Sequence, residues 1–158
     1  YALVSGYTGD QVFLARTTAG RWEKRTPPCV RAVVAPIEGQ GGLVAACRPP
    51  GTNGPVELQT SSDGGRSWAL VWQYSFPSPL SSLAVTADAA VVTLDNGDVL
   101  RTIDNGMSFT AVLRTGESPG LRFSDPKHGL LTAGPPANRQ LFTTRDGGAT
   151  WQAVKPPE

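Results

Sequence analysis

Ser61-Ser62-Asp63-Gly64-Gly65-Arg66-Ser67-Trp68 is the stretch that decides the fold. Thr144-Arg145-Asp146-Gly147-Gly148-Ala149-Thr150-Trp151 repeats it near the C-terminus, and Thr102-Ile103-Asp104-Asn105-Gly106-Met107-Ser108-Phe109 stands between them as a looser copy. Each carries a hydroxyl, an Asp two residues on, a Gly two after that, then a hydroxyl followed by an aromatic. An Asp at the head of a turn accepts N–H bonds from the residues that follow, and Gly takes backbone conformations costly for other residues. Ser and Thr add local side-chain-to-backbone bonds. The closing aromatic leads into the next strand and packs on the hairpin, contributing about 1.5–3 kcal/mol of apolar burial. On this reading Ser61, Asp63, Gly65, Ser67 and Trp68 build a turn, as do Thr102, Asp104, Gly106, Ser108 and Phe109, and Thr144, Asp146, Gly148, Thr150 and Trp151. One carboxylate per loop is too few for the 6–8 oxygens that Ca²⁺ takes.

The aromatics closing these boxes, together with Trp22 after a degenerate copy at Arg16–Arg21, recur about every 40–45 residues, the period of propeller blades. The last repeat reads as four strands: Leu121–Ser124, Gly129–Ala133, Gln140–Thr144 and Thr150–Val154. The third matches it with Leu83–Thr86, Ala90–Leu94, Val99–Ile103 and Ser108–Leu113, its Asp95-Asn96-Gly97-Asp98 turn supplying positive φ. The second has Cys29–Ala35, Leu43–Cys47, Val56–Ser61 and Ser67–Gln73. In the first, Tyr1–Gly6 aligns with the second strand of a blade, followed by Val12–Arg16 and Arg21–Arg25, so the innermost strand is missing. The fold class is therefore all-β, a β-propeller of four-stranded antiparallel blades with about four blades present. The units are 1–27 (incomplete blade), 28–77, 78–116 and 117–158, in a single propeller domain. An exposed apolar edge is avoided in folded proteins, so this reading expects the C-terminal part of a larger propeller. The alternatives are a self-associating half-propeller or a four-bladed ring with one short blade.

Lys and Arg number 14 against 13 Asp and Glu, a net charge of +1, with no basic run. That argues against nucleic acid or an anionic membrane surface as the main partner. No apolar run is long enough to span a bilayer. Gly 18 and Pro 14 lie between short apolar runs, the composition of turn-rich β structure. The chain starts at Tyr1 with no Met or leader, which suggests a removed targeting segment or a piece of something longer. The two cysteines, Cys29 and Cys47, fall opposite one another if Cys29–Ala35 and Leu43–Cys47 form one hairpin about Glu38 and Gly39. A disulfide there implies an oxidising compartment, extracellular or periplasmic; the alternative is two buried thiols.

The three boxes resemble the Asp box, or bacterial neuraminidase repeat, of sialidases, sortilin-type receptors and several glycoside hydrolases. The stretch Leu121-Arg122-Phe123-Ser124-Asp125-Pro126-Lys127-His128-Gly129-Leu130-Leu131 resembles the opening of the unit in photosystem II assembly factor-like propellers. The resemblance implies the propeller fold and selects no function, because unrelated activities share the box. A sialidase would imply an Arg-Ile-Pro motif, an arginine triad and a Tyr/Glu pair. No Arg-Ile-Pro occurs, and none of Tyr1, Tyr7 and Tyr74 can be given a Glu partner.

Candidate chemistry is correspondingly sparse. Asp63, Asp104 and Asp146 lie in boxes and Asp88 and Asp125 in turns, away from the face where two carboxylates would have to converge on a sugar. His128, the only histidine, lies in a turn where a stabilising hydrogen bond is the expected role. Arg16, Arg101 and Arg145 read as solvated or edge-strand charges. No catalytic residue, metal or cofactor is assigned. A ligand would meet the loops between second and third strands and between blades, which supply Tyr7, Asp10, Arg48, Asn53, Tyr74, Phe76, Asn138 and Arg139. Tyr74-Ser75-Phe76-Pro77 is the best candidate for recognising a sugar ring or a peptide; filling the seam between blades is the alternative role. The function expected is a non-catalytic, secreted binding or assembly scaffold with a protein or carbohydrate ligand. The competing readings are a segment of a sialidase-like or other glycoside hydrolase whose catalytic groups lie in other blades, and an assembly factor for a membrane complex.

Overall fold

The computed structural model describes residues 13–16, 20–29, 32–37, 42–47, 55–116 and 119–155. The described residues are all-β apart from one 3-10 turn at Pro136–Asn138. Among the described residues fourteen strands form a two-stranded sheet and three four-stranded antiparallel sheets, each built from consecutive strands in sequence order. Four blades are therefore present, the first represented by two strands.

The chain divides into two compact units, 1–76 and 77–158. In the first, β1 (Phe13–Arg16) pairs with β2 (Trp22–Arg25), and a blade follows of β3 (Ala32–Pro36), β4 (Leu43–Cys47), β5 (Val56–Ser61) and β6 (Ala69–Tyr74). The second strand of that blade, Leu-Val-Ala-Ala-Cys, is buried along its whole length. This is the continuous apolar run expected of a strand covered on both faces. Phe13 packs on Leu43 and, edge to face, on Trp68 at 6.2 Å between ring centroids. The strand expected at Tyr1–Gly6 lies outside the described residues.

The second unit holds two complete blades. The first comprises β7 (Leu80–Val85), β8 (Ala90–Leu94), β9 (Asp98–Thr102) and β10 (Thr110–Arg114). The second comprises β11 (Gly120–Phe123), β12 (Gly129–Ala133), β13 (Gln140–Thr144) and β14 (Gln152–Ala153). Their innermost strands β7 and β11 lie next to each other. Val91 and Val99 of one blade and Leu121, Leu131 and Ala133 of the other form a shared core. Two polar pins cross the same seam. Thr93 Oγ1 donates to Pro119 O at 2.9 Å, and Arg101 Nε donates to Gly147 O at 2.9 Å. Arg101 is thus engaged between blades, where the sequence suggested a solvated edge charge; the bond depends on a box loop 46 residues away and has no local signature.

Strand boundaries differ from the sequence reading in one consistent way. The outer strands start after the box aromatic (Ala69, Thr110, Gln152), because the aromatic and its hydroxyl neighbour still belong to the turn. In β6 and β10 the ladder then slips by one residue, leaving Val71 and Val112, each three positions past its box aromatic, as bulges.

The Cys29–Cys47 disulfide is formed, with Cα atoms 5.8 Å apart. The hairpin register behind its prediction is wrong. Cys47 pairs with Ala32, and Cys29 precedes β3. The bridge therefore staples the approach to the blade onto the end of its second strand. Cys47 is buried beside Val34 and Ala45, with Cys29 and Trp68 packed on that cluster.

Candidate functional site

The boxes are the most elaborate hydrogen-bonded features among the described residues, and all three share one wiring. Asp63 accepts from the hydroxyls of Ser61 (2.8 Å) and Ser67 (2.6 Å) and from the N–H groups of Arg66 (2.9 Å) and Ser67 (3.0 Å). Ser61 Oγ in turn accepts from Gly65 N at 2.8 Å. Asp104 accepts from Thr102 Oγ1 (2.7 Å), Ser108 N (3.0 Å) and Ser108 Oγ (2.6 Å), while Gly106 N donates to Thr102 Oγ1 at 2.9 Å. Asp146 repeats this with Thr144 Oγ1 (2.8 Å), Thr150 N (2.9 Å) and Thr150 Oγ1 (2.6 Å), and Gly148 N with Thr144 Oγ1 (2.9 Å). The first hydroxyl of every box is buried.

This donor set holds the carboxylates ionised. The Ser67 hydroxyl, ahead of its N–H and the Ser61 hydroxyl, keeps Asp63 well below the usual carboxylate range. The Ser108 hydroxyl, then that of Thr102, lowers Asp104 to about 2, and the Thr150 hydroxyl and N–H lower Asp146 to about 2. Groups so committed are poor proton donors near neutrality. Asp125 behaves likewise in its own turn. The N–H groups of His128 and Lys127 bring it to about 2, and His128 Nδ1 lies 2.9 Å from its Oδ2. The histidine is tied into the turn, as the sequence suggested.

The first and third boxes also receive the sheet before them. A Cβ built at Gly65 would stand 2.4 Å from Phe13 Cζ, and one at Gly148 would stand 2.7 Å from Val91 Cγ2. In the first unit Arg66 additionally reaches Glu23 of β2 at 3.4 Å. The indole N–H groups of Trp68 and Trp151 are buried with no protein acceptor among the described residues, so these rings act through apolar contact.

Of the proposed ligand-face residues, Tyr7, Asp10, Arg48 and Asn53 lie outside the described residues. Tyr74 is the last residue of β6, not part of a loop, and its ring centroid lies 4.7 Å from that of Phe76. Trp72 joins them, edge to face on Tyr74 at 6.0 Å. The three aromatics alternate along the strand end and form one half-buried row. The sequence reading missed Trp72, although the two-residue alternation with Tyr74 and Phe76 points to it. Asn138 ends the 3-10 turn and Arg139 caps it, both exposed. Among the described residues no cluster of three or more His, Cys, Asp or Glu could hold a metal ion, and no helix is long and apolar enough to cross a membrane.

The fold is similar to that of YCF48 from Cyanidioschyzon merolae, at 16% identity and a TM-score of 0.58, covering 93% of this chain and 54% of that one. A structure of YCF48 bound to D1 peptide matches at 14% identity and a TM-score of 0.45, covering 91% of this chain and 74% of that one. The chain thus spans about half the length of the first of these propellers. No protein-family model and no curated protein matches the sequence.

Proposed function

We propose that this chain is part of an Asp-box propeller that serves as a binding or assembly scaffold for a protein partner, in an oxidising compartment. The observation that carries the scaffold reading is the state of the box carboxylates: each is saturated by its own loop and held ionised. The chain's most distinctive acids thus hold turns. The Trp72–Tyr74–Phe76 row supports the binding reading, because rigid, half-buried aromatics in a row suit an extended peptide. The disulfide supports a compartment outside the reducing cytosol.

A peptide array probed with the purified chain tests this reading. Binding of extended peptides is expected, with at least about tenfold loss in Tyr74→Ala/Phe76→Ala. A glycan array bound in its place, or hydrolysis of fluorogenic sialosides, would overturn the protein-scaffold reading.

A further inference from the structure

The second blade has an outer edge unlike those of the other two complete blades. Its outer strand β6, Ala-Leu-Val-Trp-Gln-Tyr, is six residues long and carries no charge and no proline. Leu70 and Val71 in it are 56% and 50% exposed. Edge strands are ordinarily kept from pairing by charge, proline or shortness. β10 ends on Arg114, ion-paired with Asp98 at 2.9 Å, and β14 has two residues. β6 keeps only the bulge at Val71, and beyond it Trp72, Gln73 and Tyr74 run in regular register with Leu58, Glu57 and Val56. Neighbouring blades close sheet faces and leave such edges alone. In the second unit two blades meet through their faces and innermost strands, and in the first Phe13 of the preceding sheet packs on Leu43, again on a face. Among the described residues the outer strand of each complete blade pairs only with the third strand of that blade, so a further blade would not occupy the β6 edge.

The two sides of this edge differ in chemistry. Trp72 and Tyr74 lie half-buried on the side of Leu58 and Val56, and Phe76 extends their row. Gln73 lies on the other side, where its Nε2 donates to Glu57 Oε1 at 3.0 Å and Gln59 Nε2 donates to Glu57 Oε2 at 3.4 Å. Glu57 is the charged side chain of β5, and among the described residues its side-chain partners are these two amides. An apolar side and an acidic side thus flank one uncharged edge.

We propose that β6 takes an extended segment of a protein partner as an added strand, apolar where it flanks Trp72 and Tyr74 and basic where it lies beside Gln73. This rests on the peptide-binding reading above and states how the peptide lies. In strand addition main-chain bonds supply affinity and alternate side chains supply specificity. The added strand stands two strand spacings from β5, about 10 Å. A Lys or Arg side chain and the Glu57 side chain close that span between them, which sets the charge of the incoming residue. Two copies of β6 would bring two bulges into one short ladder, whereas a separate extended segment brings none of its own.

Fluorescence anisotropy with short labelled peptides is the test. The probes are Thr-Val-Lys-Val-Thr, its counterpart Thr-Val-Glu-Val-Thr, and two forms of the Lys peptide N-methylated at alternate amides. Alternate amides of an added strand face β6, so one methylated form should bind at least about tenfold more weakly while the other matches the parent. The Lys peptide should bind at least about threefold more tightly than the Glu peptide, and Glu57→Gln should abolish that preference. The methylated probes leave the protein unaltered, and far-UV circular dichroism confirms the fold of the variant. Binding that is lost in Tyr74→Ala/Phe76→Ala but is the same for both methylated forms would overturn strand addition and leave the peptide-binding reading standing. A Lys preference that survives in Glu57→Gln would remove the basic position from the proposal and overturn it as stated. A dimer in sedimentation velocity that the Lys peptide does not dissociate would assign the edge to a second copy and overturn it too. If no peptide of any sequence binds, the peptide-binding reading and the proposal fall together.

Discussion

Gly64 and Gly65 are neighbours with nearly the same backbone, φ +73° and +83°, and they separate two effects that a glycine substitution usually mixes. A Cβ at Gly64 meets nothing within 4 Å, whereas one at Gly65 would lie 2.4 Å from Phe13 Cζ and 3.4 Å from Leu43 Cδ1. Both alanine variants bear the left-handed backbone cost of about 1–2 kcal/mol, partly offset by about 0.4–1 kcal/mol from the stiffer unfolded chain. Only Gly65→Ala adds overpacking, about 1–3 kcal/mol when a methyl group enters a filled site. The expected destabilisation is therefore about 1 kcal/mol for Gly64→Ala and about 2–4 kcal/mol for Gly65→Ala. Urea unfolding followed by tryptophan fluorescence, with slopes compared before midpoints, reads the difference. A Phe13→Leu background makes the attribution specific: the smaller side chain leaves room for the methyl, so the double variant should be more stable than the sum of the single effects by at least about 1 kcal/mol. Equal losses at the two glycines, or strict additivity with Phe13→Leu, would refute the claim that the box glycine is a socket for the preceding sheet.

Three further outcomes follow from the same contacts. Leu131→Ala, at a fully buried position between the last two blades, should cost about 2–5 kcal/mol by urea unfolding. Replacing Cys29 and Cys47 with Ser frees a loop with a sequence separation of 18, and loop-closure entropy sets the loss at about 3 kcal/mol, read as a lower urea midpoint with unchanged far-UV spectrum. The box aspartates have folded pKa values below their unfolded ones, so their contribution is present above the unfolded value of about 4 and is lost as pH falls towards about 2. Melting temperature should therefore drop across that window, and Asp104→Asn/Asp146→Asn should flatten the drop while lowering stability at pH 7; an unchanged slope would show that other carboxylates control acid unfolding.

The boxes were legible because their chemistry is local. A hydroxyl, a carboxylate and a glycine within eight residues bond one another whatever surrounds them, and three copies fix the period. The four-strand blade follows from that period and from alternation along Leu121–Thr144. What sequence could not supply was register between neighbouring elements. A hairpin read from the sequence sets Cys29 and Cys47 face to face, yet Cys47 pairs with Ala32 and Cys29, ahead of β3, still forms the bridge. The same difficulty hid the seam contacts. Arg101 meets the Gly147 carbonyl and Thr93 the Pro119 carbonyl, each across a blade boundary, where no periodicity along the chain reports a partner.

The aromatic partner of the box tryptophan shows why the seam must be read in space. Trp151 has Phe123, from the innermost strand of its own blade, edge to face at 6.1 Å. By ladder register the corresponding residue in the second blade is Pro36, opposite Leu43 as Phe123 is opposite Gly129. Proline offers no aromatic ring there, and the place is taken by Phe13 from the preceding sheet, at 6.2 Å and likewise edge to face. Val91, also from the preceding sheet, then fills beside Gly148 the space that Phe13 fills beside Gly65. The repeat thus specifies a cavity bounded by the box glycine and the closing aromatic, and different strands fill it with different side chains. The first and third boxes are consequently both the turn of their own blade and the socket for the sheet before it. Loss of either should act on two sheets at once, which makes stability, and not ligand affinity, the first property that a box substitution changes.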